Sequence, residues 1–549
     1  MGDRGRSVAV LLAYLGLAAA VVLPGAAAVD GEGAPGHPRS DLWNTLWSYW
    51  MVADALAAGH VPWRTAWLDA PDGGTLLVAD LPGAFLGAPL VWALGPARAW
   101  SVLALLRVAA SGAVVHVFAA EWLTRSGLDR RGAWVAGVAY ATAPVLLCGL
   151  VNGTSEAVSG AGAAFAVYGV WAAGARPRVP GWAWPGVAIA LLGSAYAAVV
   201  AAVGGAVLVA AAPDGVARRR RVAVLAVGLV LAAPLAWLIH AAATAPDNLV
   251  GIKHAAELAS VRRSTGAADW RAFFLGGDFR APDFAAMSRY GEGFLHAPYL
   301  GWALLGAAAA ALVWRPAPGV RAWVAFAAAC AALALGPVLV KDGSAFIFAD
   351  RRAIPLPYFL VERLPGFAQL SLVWRLAMGA SLGLALAGAG FAARAGPRVT
   401  AALVVAVGVE SAVWSPARVP WSAVPRDPAL EALRAAPPGA VLNFPVVGGR
   451  PYLAEQIIHR KPVAGTLNFP NNRAGKKSWD LLIRASAGGP DAVRRAAARA
   501  ARHGGVRYLV VHPDALALPD AHDPAVAAVE AALAPLAATP GGLRVYRLW

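Results

Sequence analysis

Apolar runs of about 17–25 residues recur along the first three quarters of the chain, separated by short polar connections. Each run is long enough to cross a hydrocarbon core about 30 Å thick. The pattern predicts an α-helical polytopic membrane protein with about eleven crossings. The predicted spans are 7–29, 100–123, 133–150, 155–174, 181–213 as two half-length helices, 222–243, 297–314, 321–340, 375–393 and 399–415. Residues 82–96 are shorter and bounded by prolines, which favours an interfacial or re-entrant helix.

Arginine clusters between the spans all fall on one side of the membrane under this threading. Because basic residues favour the cytoplasmic side, the N-terminus is predicted to be cytoplasmic in a multi-pass protein of the cell membrane. The segments 30–99, 244–295 and 341–374 then become external loops. The first run also has the charged start of a signal peptide, but we favour a retained anchor because many spans follow.

The pattern changes after residue 415. A proline-rich linker is predicted at 416–425, so the membrane domain covers 1–415. Residues 426–549 alternate short β-rich runs, such as GAVLNFPVV and VRYLVVHP, with segments of helical periodicity. This alternation predicts a small soluble α/β domain on the extracytoplasmic side.

Composition agrees with the pattern and excludes several classes of protein. Hydrophobic residues make up 59% of the chain, charged residues 14%, and the mean hydropathy is +0.57, which excludes a soluble globule. The net charge of +16 comes from arginines in short loops, where they orient the protein, so no nucleic-acid partner is predicted. Cys148 and Cys330 lie inside apolar spans and form neither a metal-ligand spacing nor a disulfide framework.

The segment 38–80, directly after the first span, is the richest in candidate chemistry. It mixes five aspartates, among them Asp41, Asp69 and Asp72, with five tryptophans. Indole rings settle at the membrane–water boundary, and aspartates held there can act as bases on a substrate presented at that depth. The segment is therefore predicted to be an active-site loop, with an amphipathic surface helix followed by a solvated loop as the alternative.

Several short motifs resemble the GT-C class of integral-membrane glycosyltransferases. SDLWNTLWSYWMVADALAAGHVPWRTAWLDAPDG is similar to first loops in which an Asp and several aromatics precede A-L-x-x-G-x-x-P and a later P-x-G. Further similar pieces are VNGTSE, ALGPVL at 334–339, LPGFAQLSLVWR at 364–375 and HRKPVAGTLNFP at 459–470. The resemblance implies transfer of a sugar from a polyprenyl-phosphate donor to a glycan, lipid or protein acceptor at the outer face.

Within that resemblance, Asp41 is the first candidate for the base that takes the proton of the acceptor hydroxyl. It lies just beyond the first span, where apolar neighbours are expected to raise its pKa toward a useful range. The alternative is an N-cap on a helix beginning at Leu42, and both roles are compatible. Asp69 and Asp72 are weaker candidates for substrate contacts, because PDGG is also an ordinary turn sequence. No adjacent acidic pair occurs in the loop, so no metal or other cofactor is predicted.

Four residues in the remaining chain are candidate substrate or phosphate contacts. Glu156, with Asn152 four residues earlier, lies in an outer turn and is expected to orient a sugar; the alternative is a favourable interaction with the helix dipole. Arg107 lies inside an apolar crossing and is a candidate for the donor phosphate, with snorkelling as the alternative. Arg375, at a membrane boundary, is a second phosphate candidate, with a membrane-edge anchor as the alternative.

Two other functions compete with sugar transfer. A transporter or flippase of a lipid-linked or polar substrate also needs many spans, broken helices and an intramembrane arginine. Against it, the second half of the chain shows no evident repeat of the first, and the acidic residues lie mostly in predicted loops. A non-catalytic role in envelope assembly by the same fold is the third hypothesis.

Overall fold

The computed structural model describes residues 3–158, 160–249, 255–276, 295–314, 316–347, 353–364, 367–414, 418–444, 450–465, 473–513, 524–540 and 542–548. Parts of the predicted external loops and linker, and residues 466–470 of the last motif, lie outside them. Contacts divide the chain into two compact units. The first unit is Met1–Ser40, Arg98–Ala236 and Lys253–Ser422, and the second unit is Asp41–Ala97, Trp237–Ile252 and Ala423–Trp549. The predicted domain boundaries stay predictions.

Helices dominate the first unit, as the apolar pattern predicts. Their bounds are Asp3–Val22, Pro96–Arg125, Ala133–Ala141, Pro144–Val151, Gly160–Ala175, Ala183–Gly193, Ala195–Ala210, Gly215–Ala243, Ala255–Arg262, Trp302–Val313, Val320–Ala334, Tyr358–Val361, Ala377–Ala395 and Pro397–Trp414. Within the described residues, five helical stretches are long and apolar enough to cross a membrane: Val8–Ala28, Pro96–Arg125, Arg130–Val151, Gly215–Ala243 and Val373–Ala395. The chain is therefore a membrane protein, whereas the count of eleven crossings and the orientation stay predictions.

The predicted interruption of the apolar block 181–213 is confirmed. One helix ends at Gly193, and Ser194 adopts an extended conformation. The Ser194 hydroxyl accepts a hydrogen bond from the Tyr196 backbone N–H at 3.2 Å and so caps the next helix. A polar residue with its own capping bond thus divides a continuous apolar run into two helices.

Small residues let two helices pack closely in the core of the first unit. Helix Ala377–Ala395 is buried along almost its whole length and packs against Val320–Ala334. A Cβ atom added at Gly383 would lie 2.6 Å from the backbone oxygen of Trp323, so this close approach requires glycine. Small residues let helix backbones approach closely where lipid removes the hydrophobic driving force.

The second unit contains two helices of the first loop, Leu42–Ala57 (here called the loop helix) and Leu81–Leu94, together with the C-terminal region. Asp80 caps the helix Leu81–Leu94 by accepting from the Gly83 N–H at 3.1 Å. The described C-terminal helices are Pro428–Ala435, Arg450–His459, Arg473–Ser486, Gly489–Gly504 and Pro524–Ala532. The predicted short helix near residues 82–96 and the predicted α/β character of the C-terminal region are confirmed.

A four-stranded sheet organises the C-terminal region. Its strands, in spatial order, are Ala440–Phe444, Val506–Val511, Arg544–Arg547 and Ala534–Ala538. The first two are parallel and the other pairings are antiparallel. Val506, Leu509 and Val511 are fully buried and pack with the amphipathic helices that cover the sheet. This mixed sheet with helices accounts for the alternation of β-rich and helical segments in the sequence.

Candidate functional site

A buried ion pair between Arg375 and Glu156 lies at the centre of the candidate site in the first unit. Arg375 belongs to a short 3-10 turn, Val373–Leu376, that leads into a membrane-length helix, and Glu156 belongs to the turn Ser155–Val158. Arg375 Nη1 donates to Glu156 Oε1 at 3.0 Å, and the two side chains are only 6% and 17% exposed. Such burial argues against a simple membrane-edge anchor, because an anchoring arginine keeps its head in water.

Aromatic side chains surround the Arg375 guanidinium. Its Cζ atom lies 5.3 Å from the centre of the Tyr196 ring and 5.9 Å from that of Trp374. The Tyr196 hydroxyl in turn accepts from the Leu372 backbone N–H at 2.9 Å, which fixes the ring against the turn that carries Arg375. Cation–π contacts and the carboxylate together hold the cation in an apolar environment.

His296 adds a neutral ring next to this cation. It stacks on Trp374 with ring centres 4.7 Å apart and is buried. Burial, with a smaller contribution from the Arg375 guanidinium, lowers the pKa of His296 to about 3. The imidazole is therefore uncharged at neutral pH, and it does not compete with Arg375 for an anion.

Asn152, predicted from the sequence to contact substrate, forms hydrogen bonds to the protein backbone. Its side-chain amide donates to the Leu295 carbonyl at 2.8 Å, and its Oδ1 accepts from the Leu295 N–H at 2.9 Å. The side chain is fully buried. Asn152 therefore fixes the backbone immediately before His296, and a direct contact with substrate stays a prediction.

Arg107 is directed at the same turn as Glu156. One guanidinium nitrogen donates to the carbonyl of Ser155, the residue before Glu156, and its Cζ atom lies 5.9 Å from the Trp100 ring. The guanidinium is thus held inside the unit by protein groups, which the snorkelling alternative does not predict. Two arginines that are far apart in the sequence, Arg107 and Arg375, therefore hold the turn that carries Glu156.

In the second unit, Asp41 occupies the position before the loop helix, as the capping alternative predicts. Its side chain nevertheless makes no capping hydrogen bond. Instead, Asp41 Oδ1 lies 3.2 Å from Arg450 Nη2, with the two side chains 22% and 34% exposed. The carboxylate therefore faces a cation from the C-terminal region, a partner that the sequence did not indicate.

Asp69 and Asp72 form the turn that PDGG suggested. The Asp69 carbonyl accepts from the Asp72 N–H at 3.1 Å and from the Gly73 N–H at 3.2 Å. Asp69 and Gly73 have positive φ angles of 50° and 66°, and Asp72 is exposed. Both aspartates belong to the second unit, so the candidate residues are divided between units, and substrate contacts for this pair stay predictions.

Sequence reasoning missed Tyr196, Trp374 and Arg450 as parts of these environments. Tyr196 lies at the predicted interruption of the apolar block 181–213, and Trp374 precedes the predicted phosphate contact Arg375, so position alone pointed toward both. Arg450 gave no signal, because arginine is abundant throughout the chain. Among the described residues, no group of three or more His, Cys, Asp or Glu side chains is arranged to hold a metal ion.

Comparison with known proteins gives matches among solved structures only. No family model matches the chain. No curated protein matches it either. The arabinofuranosyltransferase AftD from Mycobacteria, studied as a mutant by cryo-electron microscopy, is similar with a TM-score of 0.53 and 17% identity, over 100% of this chain and 42% of that one. This chain therefore spans less than half the length of that relative.

Two further structures superpose less well. The apo oligosaccharyltransferase from Archaeoglobus fulgidus has a TM-score of 0.46 and 13% identity, over 96% of this chain and 73% of that one. ArnT from Cupriavidus metallidurans, bound to undecaprenyl phosphate, has a TM-score of 0.43 and 15% identity, over 100% and 99%. The fold assignment rests on the arabinofuranosyltransferase. The predicted fold is confirmed: this chain has an α-helical membrane fold similar to that of the arabinofuranosyltransferase, with a small C-terminal α/β region.

Proposed function

We propose that this protein is a membrane glycosyltransferase that moves a sugar from a polyprenyl-phosphate donor to an acceptor hydroxyl at the outer face of the membrane. The observation that carries the proposal is the buried Arg375–Glu156 pair, with Arg107 bound to the same turn, in a fold similar to that of an arabinofuranosyltransferase. Keeping a guanidinium in an apolar environment is costly, and such charges mark substrate sites in membrane proteins.

The reaction assigned to the site is a direct displacement at the anomeric carbon. The acceptor oxygen forms a bond to that carbon as the bond to the phosphate oxygen breaks, so the anomeric configuration inverts. Asp41, in the second unit, is proposed as the base that takes the proton of the acceptor hydroxyl. Separately, Arg375 of the first unit, whose planar fork matches phosphate oxygens, is proposed as a contact for the phosphate of the donor.

Glu156 gives Arg375 a second function in this scheme. A phosphate competes with the Glu156 carboxylate for the guanidinium, so Glu156 holds the arginine in place when no donor is bound. Once released, Glu156 is an acceptor for sugar hydroxyl groups. The scheme requires no metal, and activity in the presence of EDTA tests that prediction.

The experiment uses the purified full-length chain in lipid nanodiscs. The probes are polyprenyl phosphates carrying radiolabelled arabinofuranose or a labelled hexose, with short alkyl glycosides as acceptors; the name of the structural relative makes arabinofuranose the first donor to test. We expect label in the acceptor, and a rate reduced by at least about 100-fold in Asp41→Asn, the size of a general-base contribution.

Asp491→Asn is the matched control, because Asp491 is an exposed carboxylate in the same unit, with its side chain 79% exposed. It should transfer at the wild-type rate. Full activity in a folded Asp41→Asn protein removes Asp41 as the base. Movement of both labelled lipids across the bilayer without transfer to any acceptor overturns the enzyme assignment and favours the flippase hypothesis.

A further inference from the structure

The first loop hydrogen-bonds to the motif HRKPVAG through its backbone. The Val463 N–H donates to the Trp67 carbonyl at 2.9 Å, and the Ala70 N–H donates back to the Val463 carbonyl at 3.1 Å. The Asp69 N–H donates to the Gly465 carbonyl at 2.7 Å. Residues 67–70 thus run beside residues 463–465 with hydrogen bonds in both directions, as neighbouring strands do.

The same motif is attached on its other side to the C-terminal sheet. The Ala464 N–H donates to the Val441 carbonyl, and the Val441 N–H donates to the Pro462 carbonyl, both at 2.8 Å. Lys461, which opens the segment, donates from Nζ to the Ala436 carbonyl at 2.6 Å. The segment 461–465 therefore joins the sheet to the first loop, and this placement is a structural reason for the motif.

A buried glutamine fixes the loop helix to the C-terminal helix Arg450–His459. Gln456 is fully buried. Its Oε1 accepts from the Trp47 indole N–H at 2.7 Å, and its Nε2 donates to the Trp67 carbonyl at 2.6 Å and to the Lys461 carbonyl at 3.0 Å. One side chain therefore connects the loop helix, the extended part of the loop and the motif.

Arg450 begins the helix that carries Gln456, and its guanidinium meets Asp41 immediately before the loop helix. Asp41 supplies its backbone carbonyl to the Thr45 N–H at 2.9 Å, so the backbone at Asp41 starts the helix while the carboxylate points to Arg450. The loop helix is anchored to this C-terminal helix at two places, Trp47 with Gln456 and Asp41 with Arg450.

We propose that the C-terminal region is a positioning element for Asp41, and that Arg450 is the positioning residue; this rests on the proposed function, in which Asp41 is the base. Catalytic groups must be held to within about 0.5 Å of the productive geometry by surrounding contacts. Arg450 orients the carboxylate, while Gln456 and the segment 461–465 fix the loop that carries it. Sugar transfer therefore depends on the C-terminal region of the same chain.

The test compares Arg450→Gln with Arg450→Lys in the nanodisc assay, with polyprenyl-phosphate arabinofuranose as the donor, or with the labelled hexose donor if only that one is a substrate. We expect Arg450→Gln to lower kcat by about 10- to 100-fold, because a misplacement of about 1 Å costs up to about 100-fold. The KM for the donor should stay within about twofold, since Arg450 does not bind it, and Arg450→Lys should recover most of the kcat because it keeps the charge.

Arg434→Gln is the matched control. Arg434 belongs to the same unit, its side chain is half exposed, and the distance from its Nη1 to Glu431 Oε2 is as long as 3.9 Å. Its kcat should equal that of the wild type. A wild-type kcat for Arg450→Gln, with an inactive Asp41→Asn, overturns this inference and leaves the proposed function standing. Equal losses in Arg450→Gln and Arg450→Lys also overturn it, since the charge then has no role. Full activity of Asp41→Asn instead contradicts the proposed function.

Discussion

The two candidate regions each contain an ion pair, and the two pairs differ in their exposure to solvent. In the first unit, Arg375 and Glu156 are almost fully enclosed, at 6% and 17% exposure, and are surrounded by aromatic rings. In the second unit, Arg450 and Asp41 remain about a third and a fifth exposed, at 34% and 22%. Water can replace a lost partner less readily in the enclosed pair than in the more exposed pair. We therefore expect the buried pair to contribute strongly to the free energy of unfolding, and the more exposed pair mainly to orient the Asp41 carboxylate.

Breaking the enclosed pair should have the largest effect on stability. Arg375→Met leaves the Glu156 carboxylate buried without its cation, and removing one partner of a buried pair costs about 3–5 kcal/mol. Thermal unfolding in nanodiscs, followed by tryptophan fluorescence, measures the loss. The double variant Arg375→Met/Glu156→Leu should recover much of the stability, because neither charge of the pair is left without its partner, but none of the transfer activity.

Two results would contradict this view of the first unit. Equal stability of Arg375→Met and the wild type would mean that water reaches the carboxylate. Recovery of transfer in the double variant would show that Arg375 does not bind the leaving phosphate. In the second unit, by contrast, Arg450→Gln should change the unfolding temperature little while lowering kcat.

Sequence reasoning was successful where the signal is local. The break at Ser194, the helix after Asp80 and the turn at Asp69 each follow from a few neighbouring residues, because capping and turn formation act over three or four positions. Arg107 and Arg375 were chosen as candidates for a similar reason, because a charge in or beside an apolar span is anomalous in itself, and their roles as phosphate contacts stay predictions.

Partners were beyond the reach of the same reasoning. Glu156 and Arg375 are 219 residues apart, and Trp47 and Gln456 are 409 apart. Nothing in the local pattern distinguishes Arg450 from the other arginines, or Gln456 from an ordinary polar residue on a helix surface. The packing of the loop helix against the helix Arg450–His459 brings Arg450 to Asp41 and Gln456 to Trp47.

Acid should weaken the second unit through His459, which lies at the end of the helix that begins with Arg450. Its side chain is buried, and its Nδ1 accepts from the Lys461 N–H at 3.1 Å, as a neutral imidazole does. Burial, with smaller contributions from the Lys461 and His512 charges, lowers the pKa of His459 from 6.5 to about 3. Between pH 3 and pH 6.5, His459 therefore binds a proton in the unfolded chain but not in the folded unit.

Because the folded pKa lies below the unfolded one, the contribution of His459 is complete above about pH 6.5 and declines as the pH falls toward 3. The slope is about 1.4 kcal/mol per pH unit, which gives a loss of about 2 kcal/mol at pH 5. This loss of stability is measured by hydrogen exchange of the strand Val506–Val511 at pH 7 and at pH 5, with the rates corrected for intrinsic exchange. His459→Gln should flatten the dependence, and an unchanged slope in that variant would assign the effect to other groups.

The smallest effect is expected at an exposed ion pair of the second unit. Arg64 Nη2 lies 2.8 Å from Asp247 Oδ2, with side chains 69% and 38% exposed. Arg64→Ala should lower stability by less than about 1 kcal/mol, because solvent screens both charges and Thr75 Oγ1 still donates to Asp247 Oδ1 at 2.8 Å. The urea midpoint at low and at 0.5 M salt provides the measurement, and high salt should abolish the difference from the wild type. A loss as large as that of Arg375→Met would mean that exposure does not separate the two kinds of pair. A small, salt-sensitive effect would show that a short distance between two charges does not by itself give a large contribution to stability. The large contribution of Arg375 and Glu156 would then come from their burial.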